Sequence, residues 1–197
     1  MTVILLVAVL TGYLTGGRLR NLTHLRLRGV ALLAAAVATS IAAKILPGNA
    51  LHTGSIATAV LTVSLALVGA FLTLNVVRTR GGLRAALVLM GLGWLLNTAA
   101  IIANGHMASP AAVLAGHHSS VNTWIGPHLA EHGVLDAHTR LPWLSDAMVM
   151  RVPGYLISVS LGDLILAAGV VFFFVQAMRD AEPATKVKGA SRWTAHP

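Results

Sequence analysis

The chain has 197 residues, of which 56% are hydrophobic and only 10% charged, with no cysteine and a formal net charge of +8. A soluble domain carries about 25% charged residues, so lipid rather than water is the expected solvent for most of this chain. The missing cysteines exclude disulfides, thiolate metal sites and thiol nucleophiles. The positive charge would point to nucleic acid in a soluble protein, but here it flanks apolar segments, where it attracts anionic headgroups; no nucleic-acid binding is expected.

A membrane-crossing helix needs about 20 apolar residues, because every backbone amide in hydrocarbon must be satisfied inside the helix. Five segments meet that demand, at about residues 1–17, 29–46, 53–77, 85–105 and 152–178. The first has no basic residue ahead of its apolar run; Arg18, Arg20, Arg26 and Arg28 all follow it. It therefore reads as a retained span rather than a signal peptide. The second ends beside Lys44, close enough to the headgroups to snorkel. The fifth contains one charge, Asp163. The expected fold is thus all-α: an integral membrane bundle of five transmembrane helices over residues 1–179, with a structured external loop at 106–151 and a flexible basic tail at 180–197.

Charge fixes the orientation. Eleven Lys and Arg residues fall in the connections between spans one and two, between spans three and four, and in the tail, against three (Lys44, Arg140 and Arg151) on the other side. The positive-inside rule then places the N-terminus outside and the C-terminus in the cytoplasm of a cell-membrane protein. Within the external loop, Ser109 and Pro110 followed by Ala111 to Leu114 are expected to start a short surface helix, and Trp124, Trp143 and Tyr155 suit the outer headgroup level. No internal repeat of 20 to 50 residues is visible, which argues against an inverted-repeat transporter. Small residues at close spacing (Gly12 with Gly16, Gly91 with Gly93, Ser158 with Gly162) offer ridges for helix packing.

Polar groups within spans must find partners or lose several kcal/mol. Asp163, eight residues past Tyr155, is expected about 12 Å below the outer surface at 1.5 Å per residue. Asn97 and Asn104 are seven apart and share a helix face, and Ser160 lies three residues before Asp163. A polar cluster of Asn97, Asn104, Arg140, Asp146, Ser160 and Asp163 at the outer end is expected, with Arg140 or Arg151 reaching down to compensate Asp163. Two readings stay open for it: a knot tying the loop to the spans, or a ligand or ion site.

The loop also carries His117, His118, His128, His132 and His138. His128, Glu131 and His132 spell H-x-x-E-H, a pattern in which two histidines one helical turn apart hold zinc while the glutamate activates water. Pro127 can open such a helix and Gly133 can end it, and Asp136, His138 or Asp146 would have to supply the third ligand. Neutral imidazoles suit zinc or copper, but in a segment this rich in histidine the pattern arises readily by chance, so no cofactor is expected and zinc is the exception the pattern allows.

Several motifs resemble an uncharacterised family of bacterial multi-pass membrane proteins, known only as a domain of unknown function. They are Gly16, Gly17 and Arg18 with the basic run to Gly29; Asn97 with Ala103, Asn104, Gly105 and Met107; Thr139 to Asp146 (T-R-L-P-W-L-S-D); and Ser160 to Asp163. The chain departs from that pattern where a proline would follow Met107 directly, since Ala108 and Ser109 intervene before Pro110. The resemblance covers all five spans but not the histidine segment, and it implies fold and topology without an activity. The resulting expectation is a noncatalytic membrane protein whose external cap covers a buried polar cluster and binds a partner subunit or a lipid headgroup. The alternatives are a small transporter or channel component using Asp163 as a proton or cation site, and a metal-dependent hydrolase using His128, Glu131 and His132.

Overall fold

A computed structural model describes residues 2–45, 55–114, 132–152 and 155–179. In chain order its elements are α1 (Thr2–Leu14), a 3-10 turn η1 (Leu19–His24), α2 (Val30–Ile45), α3 (Ser55–Val76), α4 (Gly81–Asn104), β1 (Met107–Ser109), β2 (His132–Val134), a second 3-10 turn η2 (Pro142–Leu144), β3 (Met148–Val152), β4 (Tyr155–Val159) and α5 (Leu161–Arg179). The expected segments 46–54, 115–131 and 180–197, with most of the external histidines and the tail, lie outside the described residues.

The helices follow the apolar runs because leucine, alanine and methionine lose little on entering a helix. Three of them, within α3, α4 and α5, are long and apolar enough to cross a membrane. α1 and α2, with 13 and 16 residues, are about 20 and 24 Å long at 1.5 Å per residue, shorter than the roughly 30 Å of hydrocarbon. Many large apolar side chains point outward, among them Val3, Leu6, Leu14, Leu95 and Ile102, a surface compatible with a lipid surround.

Two expectations need correction. The fifth segment is not helical from residue 152: residues 148–152 and 155–159 form an antiparallel hairpin, and the helix begins at Leu161. The β-branched Val149, Val152, Ile157 and Val159 favour an extended chain, and Pro153 disfavours helix at the residue before it. The fold is therefore mostly helical rather than all-α, since β1 and β2 also pair, in parallel, with Met107 opposite His132. The expected surface helix after Pro110 is helical over the described residues 111–114, where Val113 and Leu114 N–H groups donate to the Pro110 carbonyl at 3.0 and 3.2 Å; Ser109 belongs to β1 instead.

Packing runs α2 against α3, α3 against α4, α4 against α5 and α5 against α1. Glycines set the closest approaches. A methyl group at Gly93 would stand 2.5 Å from both the Gly162 carbonyl oxygen and the Leu166 amide, and one at Gly169 would meet Met90 at 2.7 Å. A methyl at Gly12 would strike the Met178 side chain, and one at Gly69 the Trp94 ring at 2.6 Å. Of the expected ridges, Gly12, Gly93 and Gly162 pack helices. Gly91 faces open space, and Gly16 ends a helix with a φ of +84° that favours glycine. Around these contacts, Phe71, Leu72 and Leu87 form a buried core joined by Leu27, Met90, Trp94 and Phe173.

The bundle has two chemically different ends. At one, the C-terminal ends of α1, α3 and α5 meet the start of α4: Arg18 N–H donates to the Met178 carbonyl at 2.8 Å, and the Asn21 amide donates to the same oxygen at 2.7 Å. The arginines at 18–28 and 78–84 and Arg179 gather there. At the same end Asn75, 1% exposed, accepts from Arg28 N–H at 2.9 Å and donates to the Arg28 and Phe71 carbonyls at 2.9 and 2.8 Å. The other end carries the strands, and with them Asp136, Asp146 and Asp163, all the acidic groups among the described residues.

Two substitutions on α4 test the glycine seam. Gly93→Ala should lower the thermal unfolding midpoint in detergent micelles by the equivalent of about 1–3 kcal/mol of overpacking. Gly91→Ala, two residues away in open space, should leave it unchanged or raise it. Asn75→Ala, which strands buried backbone groups of Arg28, should cost about 2 kcal/mol in the same assay.

Candidate functional site

The cap end is built where α4 overshoots α5. Asn97 lies level with the start of α5, so the seven residues from there to Asn104 carry α4 about 10 Å further, at 1.5 Å per residue. The helix stops at Gly105, whose φ of +75° and N–H bond to the Ile101 carbonyl form a left-handed cap. On that extension the buried Ala100 packs with Met107 and Leu144, supported by Leu96 and Ile101. β1 is wholly buried. Its carbonyls are taken on both sides: Ser109 accepts from Leu135 N–H and Ala108 from Asp146 N–H, each at 2.9 Å.

Ser160 and Asp163 start α5 as a reciprocal capping box, the arrangement in which an N-cap hydroxyl and a third-position acid satisfy each other's backbone donors. The Ser160 hydroxyl accepts from Asp163 N–H at 2.9 Å, and the Asp163 carboxylate accepts from Ser160 N–H at 3.2 Å. Asn97 on α4 locks onto both: its amide donates to Asp163 Oδ1 at 2.7 Å, and its Oδ1 accepts from the Ser160 hydroxyl at 2.7 Å. Gly162 lies between them, where any side chain would collide with Asn97. Asp163 is thus in the first turn of its helix, not about three turns down as a helix from residue 152 would have put it.

Asp146 approaches from the cap. It is 5% exposed and accepts from the Ser109 hydroxyl at 3.1 Å; Ser109 in turn is 3.5 Å from the Ser158 hydroxyl of β4. Burial, and then the neighbouring Asp163 carboxylate with which it shares a hydrogen bond, push the Asp146 carboxyl up to about 6 from its ordinary 3.8. The network Asn97, Ser160, Asp163, Asp146, Ser109 and Ser158 therefore joins α4, α5, the hairpin and the loop.

Asn104 belongs to a separate clamp. Its amide donates to the Arg140 and Ala100 carbonyls at 2.8 and 2.9 Å and accepts from Arg140 N–H at 2.7 Å. Arg140 is held by its backbone, while its side chain is exposed; it does not reach Asp163, and neither does Arg151, also exposed. Asn97 already fills the place the arginines were expected to take. Immediately after, Leu141 adopts a left-handed φ of 53°, rare for a leucine, and leads into η2. The asparagine clamp on one side and the buried Leu144 on the other hold that conformation.

Of the expected zinc residues, His128 and Glu131 lie outside the described residues, and His132 opens strand β2, so a helix carrying H-x-x-E-H does not run through it. The substitute ligands are dispersed. Asp136 and His138 form an exposed turn in which His138 N–H and the Thr139 hydroxyl bond Asp136 Oδ1 at 2.9 and 3.2 Å, lowering the Asp136 pKa chiefly through His138 N–H. Asp146 is buried in the other network. Among the described residues no group of three acidic or histidine side chains is placed to hold a metal. Neither Asn75 nor Ser109 is among the residues expected in the polar cluster; Asn75 stands at the end of an apolar helix as Asn104 does, which is the signal that would have found it.

Residues 24–175 match the model of a family of unknown function, DUF5317. The chain belongs to this family. The match runs from η1 to late in α5 and so includes both asparagine clamps and the whole capping network. No curated protein and no solved structure matches the chain.

The carboxyl pair makes a pH prediction. A group whose pKa rises on folding holds its proton more tightly in the folded state, so its stabilisation is complete below the unfolded value near 3.8 and is lost as pH rises through about 6. Unfolding midpoints in micelles should accordingly fall between pH 4 and 6, and Asp146→Asn should flatten that slope. The clamp predicts a contrast: Arg140→Ala should stay within about 0.5 kcal/mol of the parent, whereas Asn104→Ala should cost about 1 kcal/mol.

Proposed function

We propose that the protein is a noncatalytic integral membrane protein whose five helices cross the bilayer with the basic end in the cytoplasm, and whose outer cap is locked onto the bundle to present a surface for a lipid headgroup or a partner subunit. The observation that carries this reading is the direction of the polar groups at the cap end. Asp163 spends its carboxylate on Asn97 and on Ser160 N–H, and Asn97 spends its own oxygen on Ser160. Such a set positions elements against each other. Catalysis would call for a nucleophile or base directed at a substrate.

The separation of charge supports the orientation. Arginines cluster at one end of the bundle and acidic side chains at the other, the pattern that retains basic loops in the cytoplasm. α1 and α2 are shorter but apolar enough to accompany the three longer helices into the bilayer.

One observation favours a second reading, a transporter or channel component. The Asp146 and Asp163 carboxyls share a hydrogen bond at the outer end of α5, and burial keeps the Asp146 proton to about pH 6. A proton relay needs such a pair.

Trypsin and flux distinguish these. Added to sealed right-side-out vesicles, trypsin should cut after Arg140 and Arg151 and spare Arg78 and Arg80; cleavage at the latter pair would reverse the orientation. Asp163→Ala should speed cleavage after Arg140 several-fold and lower the unfolding midpoint, and proteoliposomes of the parent should carry no proton flux. A flux that Asp163→Asn abolishes while the cap keeps its protease resistance would establish the transporter reading in place of the first.

A further inference from the structure

The β3–β4 hairpin has one wholly apolar face whose two methionines are exposed. Side chains alternate across a strand, and directly opposed residues share a face. Met148 stands opposite Val159, and Met150 opposite Ile157. These four therefore lie on one face, where Met148 and Met150 are 40% and 43% exposed. The opposite face carries Val149, Arg151, Leu156 and Ser158, and Ser158 meets Ser109 of the cap. Ser158 ties that second face to the cap at its α5 end, while Val149 and Arg151 on the same face are exposed.

Position says what covers that face. α5 has 19 residues, about 28 Å at 1.5 Å per residue, which matches the roughly 30 Å of hydrocarbon. Its first residue, Leu161, then sits at the outer hydrocarbon boundary, and β4 joins it through Ser160 alone. The hairpin is thereby held at headgroup depth. Its apolar face continues directly into the exposed stripe of α5, Leu161, Leu164 and Ala168, spaced three and four residues apart on one helix face. Trp143, 63% exposed just before the hairpin, is the residue type that prefers this depth.

We infer that the β3–β4 hairpin lies along the bilayer surface with Met148, Met150, Ile157 and Val159 sunk into the outer leaflet, so that the cap is anchored to lipid as well as to the bundle. The inference rests on the proposed placement of the helices in a bilayer. Arg151, on the opposite face, stays with water and phosphate. The hydrogen-bonded ladder makes this possible, because paired strands leave only their outer edges to be satisfied by headgroups and water.

The chain has no cysteine, so single cysteines report without background. Met148→Cys, Val149→Cys, Met150→Cys and His138→Cys are spin-labelled in phosphatidylcholine–phosphatidylglycerol vesicles, with Leu92→Cys on the exposed face of α4 as the lipid reference. Collision with oxygen, which partitions into lipid, is compared with collision with a water-soluble nickel chelate. Positions 148 and 150 should favour oxygen several-fold over position 138 and approach position 92, with position 149 between them. Chelate accessibility at 148 and 150 equal to that at 138 would overturn the proposal. So would immobile labels reached by neither reagent, which would mean that protein covers the face. Chelate contact at position 92 as well would overturn the bilayer placement itself, and the hairpin proposal with it.

Discussion

The close contact of α4 with α5 is the constraint on which the rest of the cap end depends. In hydrocarbon, apolar side chains gain nothing by leaving lipid for one another, so helices associate through tight van der Waals contact and hydrogen bonds. Gly93 and Gly162 supply the first, removing the side chains that would hold the backbones apart. Asn97 supplies the second, and its reach of 2.7 Å to both Ser160 and Asp163 exists only because the backbones are that close. Packing and polar contact are therefore one device, and the start of α5 is defined by it.

A different solution holds the loops. Asn75 and Asn104 stand in the last turns of α3 and α4, at opposite ends of the bundle, and each binds the backbone N–H and carbonyl of an arginine far along the chain while also donating to the carbonyl four residues back. A primary amide has two donors and one acceptor oxygen; each of these asparagines uses all three. This lets a chain without disulfides fix two connections at the ends of the bundle, where an unsatisfied buried backbone group is costly. The partner arginine contributes its backbone and keeps its charge for solvent or headgroups.

Legibility from sequence was uneven, for identifiable reasons. Asn97, Ser160 and Asp163 stand out as polar residues in apolar runs, and the structure brings them into mutual contact. The arginine expected to compensate Asp163 does not do so, because the capping box and Asn97 already satisfy that carboxylate. The hairpin was hidden by hydrophobicity itself: in a membrane chain, a run of apolar residues reads as a span whether it is helix or strand. Pro153 and the Ser160–Asp163 capping box mark where the helix starts, and they are the local signals that outweigh the hydropathy.

By itself, the sequence determined the apolar character, the rough extent of the apolar runs, the family, and the asymmetry of charge between the two ends, because these follow from composition and order alone. Tertiary structure decided which glycines are contacts and which are open, that Arg140 acts through its backbone, and that Asp146 and Asp163 meet. The Asp146 carboxyl is pushed up only because folding buries it beside Asp163, 17 positions away in sequence, since burial and proximity, not residue type, set that chemistry.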